Sequence, residues 1–190
     1  MLRSLLFVLI VIAACTQAAC DLFGPRSPEP PIGESGQFIQ PDAPDVVIEN
    51  LKAAIAEMNA ANYRRSLDQD LVFEPTAVAE ARNLSLWANW GHTEENGYFT
   101  TMAEAAGDAS GNLLRLEEST TDLGDARYTL DANYVLVVHH RRTGVPDTVQ
   151  GRLVWEITQG ADGLWALKHW ADQELGSSPS WSDLKAEFGK

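Results

Sequence analysis

Cysteine is almost absent from this sequence. Only two of the 190 residues are cysteines, Cys15 and Cys20, and both lie near the N-terminus. A disulfide between them would close a very small loop and would order little of the chain. Two thiolates without further ligands do not make a structural zinc site either. The rest of the chain must fold on its apolar core alone, and its length is enough for one domain of ordinary size.

Basic residues are scarce as well. The chain has 14 Lys and Arg against 27 Asp and Glu, which gives a net charge of -13 at pH 7. Binding to a polyphosphate needs a clustered basic face that releases counterions. The basic pair Arg141-Arg142 is interpreted as a solvated hairpin tip. We therefore expect no nucleic-acid partner.

The motifs of cofactor and metal chemistry are missing too. The sequence contains no phosphate-binding glycine loop, no dinucleotide-binding fingerprint and no nucleophile elbow. Its histidines do not occur at metal-binding spacings, and the neighbours His139 and His140 should point to opposite faces of a strand. The sequence therefore predicts neither a metal nor a cofactor.

Long apolar runs are confined to Leu5–Ala14, which follows a short segment with one arginine. This pattern is typical of a signal peptide, and the run is shorter than the roughly 20 residues of a membrane-spanning helix. Ile12-Ala13-Ala14-Cys15 has the form of a bacterial lipobox, whose cysteine is acylated and becomes the new N-terminus. The alternative is Gln17-Ala18-Ala19-Cys20, in which a polar residue replaces the apolar one, although cleavage before Cys15 leaves a short leader. We expect a signal peptide over residues 1–19, cleaved before Cys15 or Cys20, and a lipid anchor in a membrane of the cell envelope.

The next segment, residues 20–44, is rich in Pro, Gly, Ser and acids and has no periodicity. It is predicted to be a disordered tether. Residues 45–190 then form one predicted α+β domain.

The domain begins with helical periodicity. Val47, Ile48, Leu51, Ala54, Ile55 and Met58 form an apolar stripe, and Pro44 is tolerated in a first turn. Further helices are predicted over Tyr63–Leu67 with Asn62 as its cap, over Thr76–Trp90, over Thr93–Ala106, and after the cap residue Ser180. Glu94 and Glu95 are interpreted as solvated charges at a helix start.

Strands dominate the second half. A brief strand is predicted at "DLVFEP", and after Gly107 the apolar period changes to two. Four strands follow, predicted over Asn112–Thr121, Ala126–Arg142, Thr148–Gln159 and Leu164–Asp172. One face of each strand is apolar and the other is polar, which favours an antiparallel meander covered by helices on one side.

The order of these elements resembles a known superfamily. "IENLKAAIAEMNAANYRRSLDQDLVFEP", further helix, and long strands ending in "DGLWALKHWAD" are similar to nuclear transport factor 2-like domains, which include SnoaL-like and ketosteroid-isomerase-like domains. The segments "CDLFGPRSPEP" and "PSWSDLKAEFG" resemble those of uncharacterised bacterial lipoproteins with such a domain, and this likeness favours Cys20 as the anchor. The resemblance implies a cone-shaped fold, in which a curved antiparallel sheet wraps the N-terminal helices.

The resemblance also implies an apolar cavity on the concave side of the sheet. Strand alternation places seven side chains on its wall: Tyr134, Leu136, Leu153, Trp155, Trp165, Leu167 and His169. Tyr63 and Trp87 are candidates for a contribution from the helices. The alternative interpretation is that these side chains simply form the core.

Catalysis would need an acid or base beside a hydrogen-bond donor. His169 is the candidate acid or base, and Tyr134 or Tyr128 could donate to a developing oxyanion. Enzymes of the superfamily usually add an acid inside the pocket, whereas Asp131 and Glu156 alternate to the outer face here. We therefore predict a non-catalytic domain for small-molecule binding or assembly, with an isomerase or dehydratase using His169 and a tyrosine as the alternative. The expected partners are the membrane through the lipid anchor, an apolar small molecule, and a second copy of the chain through the sheet.

Overall fold

The computed structural model describes residues 36–189, apart from the side chain of Glu118. The predicted signal peptide, both cysteines and the first part of the predicted tether lie outside these residues. No helix in the described part of the chain is both long enough and apolar enough to span a membrane.

Five strands of the described chain form one mixed sheet, in the order β1-β5-β4-β3-β2. Their ranges are β1 Leu67–Glu74, β2 Leu113–Leu123, β3 Arg127–Val137, β4 Thr148–Gln159 and β5 Trp165–Glu174. The pairs β2-β3, β3-β4 and β4-β5 are antiparallel, as predicted, whereas β1 pairs with β5 in parallel.

Six helices accompany the sheet in residues 36–189. They are α1 Pro44–Glu57, α2 Ala60–Arg65, α3 Ala77–Arg82, α4 Leu84–Trp87, α5 His92–Ala106 and α6 Trp181–Phe188. The buried apolar side chains of the sheet and of the helices form one continuous core. The sheet is curved and unclosed, so the predicted class, an α+β cone wrapped around helices, is confirmed.

Most predicted elements are present, and the differences have local causes. Helix α2 begins earlier than expected because Asn59, not Asn62, caps it and accepts a hydrogen bond from the Asn62 backbone. The single helix expected over Thr76–Trp90 is broken at Asn83, whose side chain caps α4 through the Leu86 backbone. Helix α6 starts after Ser180, as predicted.

The last part of the predicted tether is ordered against the domain. The side chain of Asn50 on α1 accepts a hydrogen bond from the backbone N–H of Ile39 and donates one to its carbonyl. The carbonyl of Pro41 accepts a hydrogen bond from the backbone N–H of Trp165 at the start of β5. The prediction of disorder up to residue 44 is therefore wrong for these residues, because a buried Asn side chain pairs with a backbone that has no sheet partner of its own.

Strand β3 ends at Val137 instead of Arg142, because the following residues contact helix C-termini. The backbone N–H of Arg141 donates to the carbonyl of Ala105 near the end of α5. The guanidinium of Arg142 donates to the carbonyl of Glu187 near the end of α6. Cations in these positions complement the negative ends of the helix dipoles.

Candidate functional site: the interior of the cone

Six of the seven side chains that the sequence predicts on a pocket wall are buried. The inward side chains of β3, β4 and β5 alternate with outward ones, and the buried set includes Tyr134, Leu136, Leu153, Trp155, Trp165 and Leu167. Tyr63 and Trp87 from the helices are buried in the same core.

His169 is the exception, and its predicted inward position is wrong. Its side chain is 33% exposed, and its Nε2 lies 3.1 Å from Glu74 Oε1 on the outer side of the sheet. The cause is a β-bulge: Glu156 pairs with His169 and Ile157 pairs with Leu167, so Lys168 is an extra residue in β5. One extra residue moves the rest of a strand to the opposite face.

The same bulge turns Trp170 and Asp172 inward, where both are buried. Strand alternation predicted no inward carboxylate, and that prediction is wrong. Asp131 and Glu156 do face outward, as predicted, and pair there with Arg152 and Arg127. A signal for the bulge was present: Trp165 and Trp170 stand at positions of opposite parity, so an unbroken strand could not bury both.

A second buried carboxylate comes from α5. Glu95 was expected to be solvated but is 0% exposed. It lies on the buried stripe of α5 together with Tyr98, Phe99, Met102 and Ala106. These spacings are helical, so the position of Glu95 on the apolar face could have been found from the sequence.

The carboxylate of Glu95 accepts hydrogen bonds from three side chains. Its Oε2 accepts from Lys185 Nζ at 2.6 Å and from Trp90 Nε1 at 2.7 Å. Its Oε1 accepts from the hydroxyl of Tyr63 at 2.7 Å. Lys185 belongs to α6 and is also 0% exposed, so this is a fully buried ion pair.

Aromatic rings surround the ammonium of Lys185. Its Nζ lies 3.5 Å from the ring centre of Phe73 and 3.4 Å from that of Trp170. Burial lowers the pKa of Lys185 to about 8, although the neighbouring charge of Glu95 opposes this shift. Burial, and then the charge of Glu95, raise the pKa of Tyr63 and of Tyr98 well above the ordinary value.

Asp172 anchors the start of α6. Its Oδ2 accepts from the backbone N–H of Ser182 at 2.7 Å and from the Ser182 hydroxyl at 2.6 Å. Its Oδ1 accepts from the hydroxyl of Tyr134 at 2.8 Å. Burial raises the pKa of Asp172, while the hydrogen bonds from Ser182 and Tyr134 oppose the shift.

The hydroxyl of Tyr134 both donates and accepts a hydrogen bond in this network. Besides donating to Asp172, its hydroxyl accepts from the backbone N–H of Trp181 at 2.6 Å. Burial, and then the charge of Asp172, raise its pKa. The other candidate tyrosine, Tyr128, is half-buried, and on β3 it lies opposite Leu123 of β2 and Ile157 of β4 in the strand register. The structure therefore does not bring the candidate catalytic residues His169, Tyr134 and Tyr128 together.

The interior space in which the resemblance implies a cavity is filled by large side chains. The ring centres of Trp155 and Trp170 are 5.5 Å apart, and those of Trp170 and Trp181 are 4.5 Å apart, both edge to face. Trp181 also packs against Tyr134 at 5.4 Å. Each of these side chains is at most 1% exposed. The C-terminal helix α6 thus fills the interior of the cone through Trp181, a role that was not predicted from the sequence.

Solved structures with the same arrangement of helices and sheet show what this architecture is. A protein described as nuclear transport factor 2-like, of unknown function in nutrient uptake, from Rhodospirillum rubrum is 13% identical, with a TM-score of 0.52 over 69% of this chain and 97% of that one. A protein from Kribbella flavida is 13% identical, with a TM-score of 0.51 over 74% of this chain and 92% of that one. A nuclear transport factor 2-like superfamily protein from Salmonella enterica is 12% identical, with a TM-score of 0.50 over 70% and 86%.

The chain has a nuclear transport factor 2-like fold. No protein-family model matches the sequence, and no curated protein matches it significantly. At these identities the similar structures establish the fold and not an activity.

Outside the interior of this nuclear transport factor 2-like domain, one histidine pair lies beside an acid. Because β3 ends at Val137, the two imidazoles do not follow strand alternation. His139 Nδ1 and His140 Nε2 each lie 3.6 Å from a different oxygen of Asp147. Residues 36–189 contain no group of three or more His, Cys, Asp and Glu side chains placed to hold a metal ion.

Two open grooves mark the surface of the domain. One, of about 720 Å³, lies between α3 and α6, where Arg82 and Asp183 form a 2.7 Å ion pair. The other, of about 600 Å³, is bordered by Phe38, Arg65 and Trp165. Neither groove is lined by Glu95, Asp172 or Lys185, so the buried charges serve the interior and not these surfaces.

Proposed function

We propose that the chain is a lipid-anchored protein of the bacterial cell envelope, whose nuclear transport factor 2-like domain acts in assembly through its outer surface and carries out no catalysis inside the cone. The observation that carries the proposal is the closed interior. Trp155, Trp170 and Trp181 occupy it, and the buried carboxylates are already hydrogen-bonded to groups of the chain itself.

The lipid anchor rests on the N-terminal sequence. The apolar run Leu5–Ala14 followed by Cys15 has the form of a lipobox, and Cys20 is the alternative acylation site. The net charge of -13 opposes adsorption to anionic lipid, so a covalent anchor is the economical route to a membrane.

The outer face of the sheet is the surface that we propose for assembly, with a second copy of the chain as the first candidate partner. Its centre combines the half-buried Val154 and Ala171 with the bidentate ion pair of Arg152 and Asp131, at 2.6 and 2.5 Å. The Arg152 hydrogen bonds lower the pKa of Asp131, so the pair stays charged over the physiological range. Such a mixed apolar and charged centre can pair with a matching surface.

Native mass spectrometry of the protein extracted from its own membrane tests the proposal in one measurement. We expect a chain that begins at an acylated Cys15 or Cys20, retains no small molecule, and forms a complex with a second copy or another protein. An unacylated chain would refute the anchor. A stoichiometric small molecule retained by the domain would refute the closed interior, and a bare monomer at high concentration would refute assembly.

A further inference from the structure

We propose that the pocket around Glu95 is a binding site for a primary alkylammonium ion, which the chain fills in cis with the side chain of Lys185. We call this the ammonium pocket and define it by Glu95, Tyr63, Phe73, Trp90 and Trp170. Its present occupant is a lysine of α6, and the chemical class of ligand it selects is a short unbranched amine.

The contacts of the Lys185 ammonium are those by which proteins recognise amines. The Nζ atom lies 2.6 Å from a carboxylate oxygen of Glu95 and over the faces of Phe73 and Trp170, at 3.5 and 3.4 Å. Aromatic faces attract a cation through the ring quadrupole, and this attraction is strongest where water is excluded. A carboxylate beside two aromatic faces therefore attracts a cation and opposes the cost of removing it from water.

The pocket does not depend on Lys185 for its shape. Tyr63 and Trp90 donate to the two oxygens of Glu95 and fix its orientation. Helix α6 is held separately, because Ser182 binds Asp172 and the indole N–H of Trp181 donates to the Tyr98 hydroxyl at 3.0 Å. Removal of the lysine's outer atoms should therefore leave α6 in position and the pocket open.

Lys185→Ala removes the γ, δ and ε carbons and the terminal nitrogen, which together are the heavy atoms of n-propylammonium. Buried cavities made by such truncations take up small molecules that match the deleted atoms. In wild-type protein the cis lysine has a very high effective concentration, so an added amine cannot compete with it.

The experiment measures thermal unfolding of the full chain by tryptophan fluorescence in n-propylammonium chloride, with sodium chloride at equal ionic strength as the reference. For Lys185→Ala we expect the Tm to rise by about 5 to 10 °C at amine concentrations ~100-fold above the dissociation constant. The neutral isostere 1-propanol should give a much smaller rise, since it lacks the charge that Glu95 binds.

Two variants serve as matched controls. In Lys185→Met the apolar side chain fills the space, so the amine should have no effect beyond that of sodium chloride. In Lys185→Ala combined with Glu95→Gln the cavity remains but the charge partner is lost, so the amine and 1-propanol should act alike. An equal effect of the amine and 1-propanol on Lys185→Ala would overturn the proposal. So would a Lys185→Ala protein that stays unfolded even in saturating amine.

Discussion

Replacing Lys185 with methionine keeps most of the side-chain volume in the interior but removes the ammonium. Glu95 then becomes a buried carboxylate without its cation. Removing one member of a buried ion pair costs roughly 3–5 kcal/mol, because the remaining charge is left uncompensated. Glu95 keeps its hydrogen bonds from Tyr63 and Trp90, so we expect the lower end of this range, about 3 kcal/mol.

Urea unfolding of the full chain at pH 7 measures this loss. With an m-value of about 2 kcal/mol/M, a loss of about 3 kcal/mol moves the midpoint down by about 1.5 M urea. The matched control is Lys52→Met, because Lys52 forms a half-exposed ion pair with Glu49 on α1. Its cost should stay within about 0.5 kcal/mol.

A double-mutant cycle separates the ion pair from the other effects of each change. Lys185→Met combined with Glu95→Gln should lose less stability than the sum of the two single variants, with a coupling of about 1 kcal/mol or more. A loss below about 1 kcal/mol for Lys185→Met alone would refute the buried ion pair, since only an exposed lysine is so easily replaced.

Three further predictions concern packing, pH and the anchor. Gly151→Ala should lower the free energy of unfolding, measured in urea, by about 1–3 kcal/mol, because a Cβ there would lie 2.6 Å from the Tyr134 hydroxyl. A Cβ at Gly97 on α5 meets nothing within 4 Å, so Gly97→Ala should raise the free energy of unfolding by about 0.5–1 kcal/mol. Between pH 8 and 10.5 the folded protein releases the Lys185 proton while the unfolded chain keeps it, and the neutral amine still donates a hydrogen bond to Glu95, so stability should rise with pH. Lys185→Met, which has neither the proton nor the donor, should show no such rise. Substitution of serine for the acylated cysteine, Cys15 or Cys20, should abolish palmitate incorporation, and the other substitution should leave it unchanged.

The elements that depend on local pattern could be predicted from the sequence. The helical stripe that begins at Val47, the strand Thr148–Gln159 and the cap at Ser180 all appear where their residues indicate. Each depends on a period or on a cap that spans only a few residues. The order of these elements indicates the α+β class, and the cone is what the resemblance to nuclear transport factor 2-like domains implies.

The features that could not be predicted depend on a single extra residue or on contacts between residues far apart in the sequence. The extra residue Lys168 changes which face of β5 is buried, and it therefore exchanges His169 for Asp172 in the interior. The ion pair of Glu95 and Lys185 joins side chains 90 positions apart. No local pattern specifies such a pair, because its stability comes from burial that only the assembled fold provides.

Lysine acetylation of the native chain, followed residue by residue by mass spectrometry, is the most direct test of a closed interior. We expect Lys52 to react readily and Lys185 to react at least ~100-fold more slowly, because Lys185 reacts only when the domain opens. If Lys185 were exposed, it would have the pKa of an ordinary lysine and would react at about the rate of Lys52. Acetylation of Lys185 at a rate equal to or above that of Lys52 would show that Lys185 is accessible and that the interior is not closed.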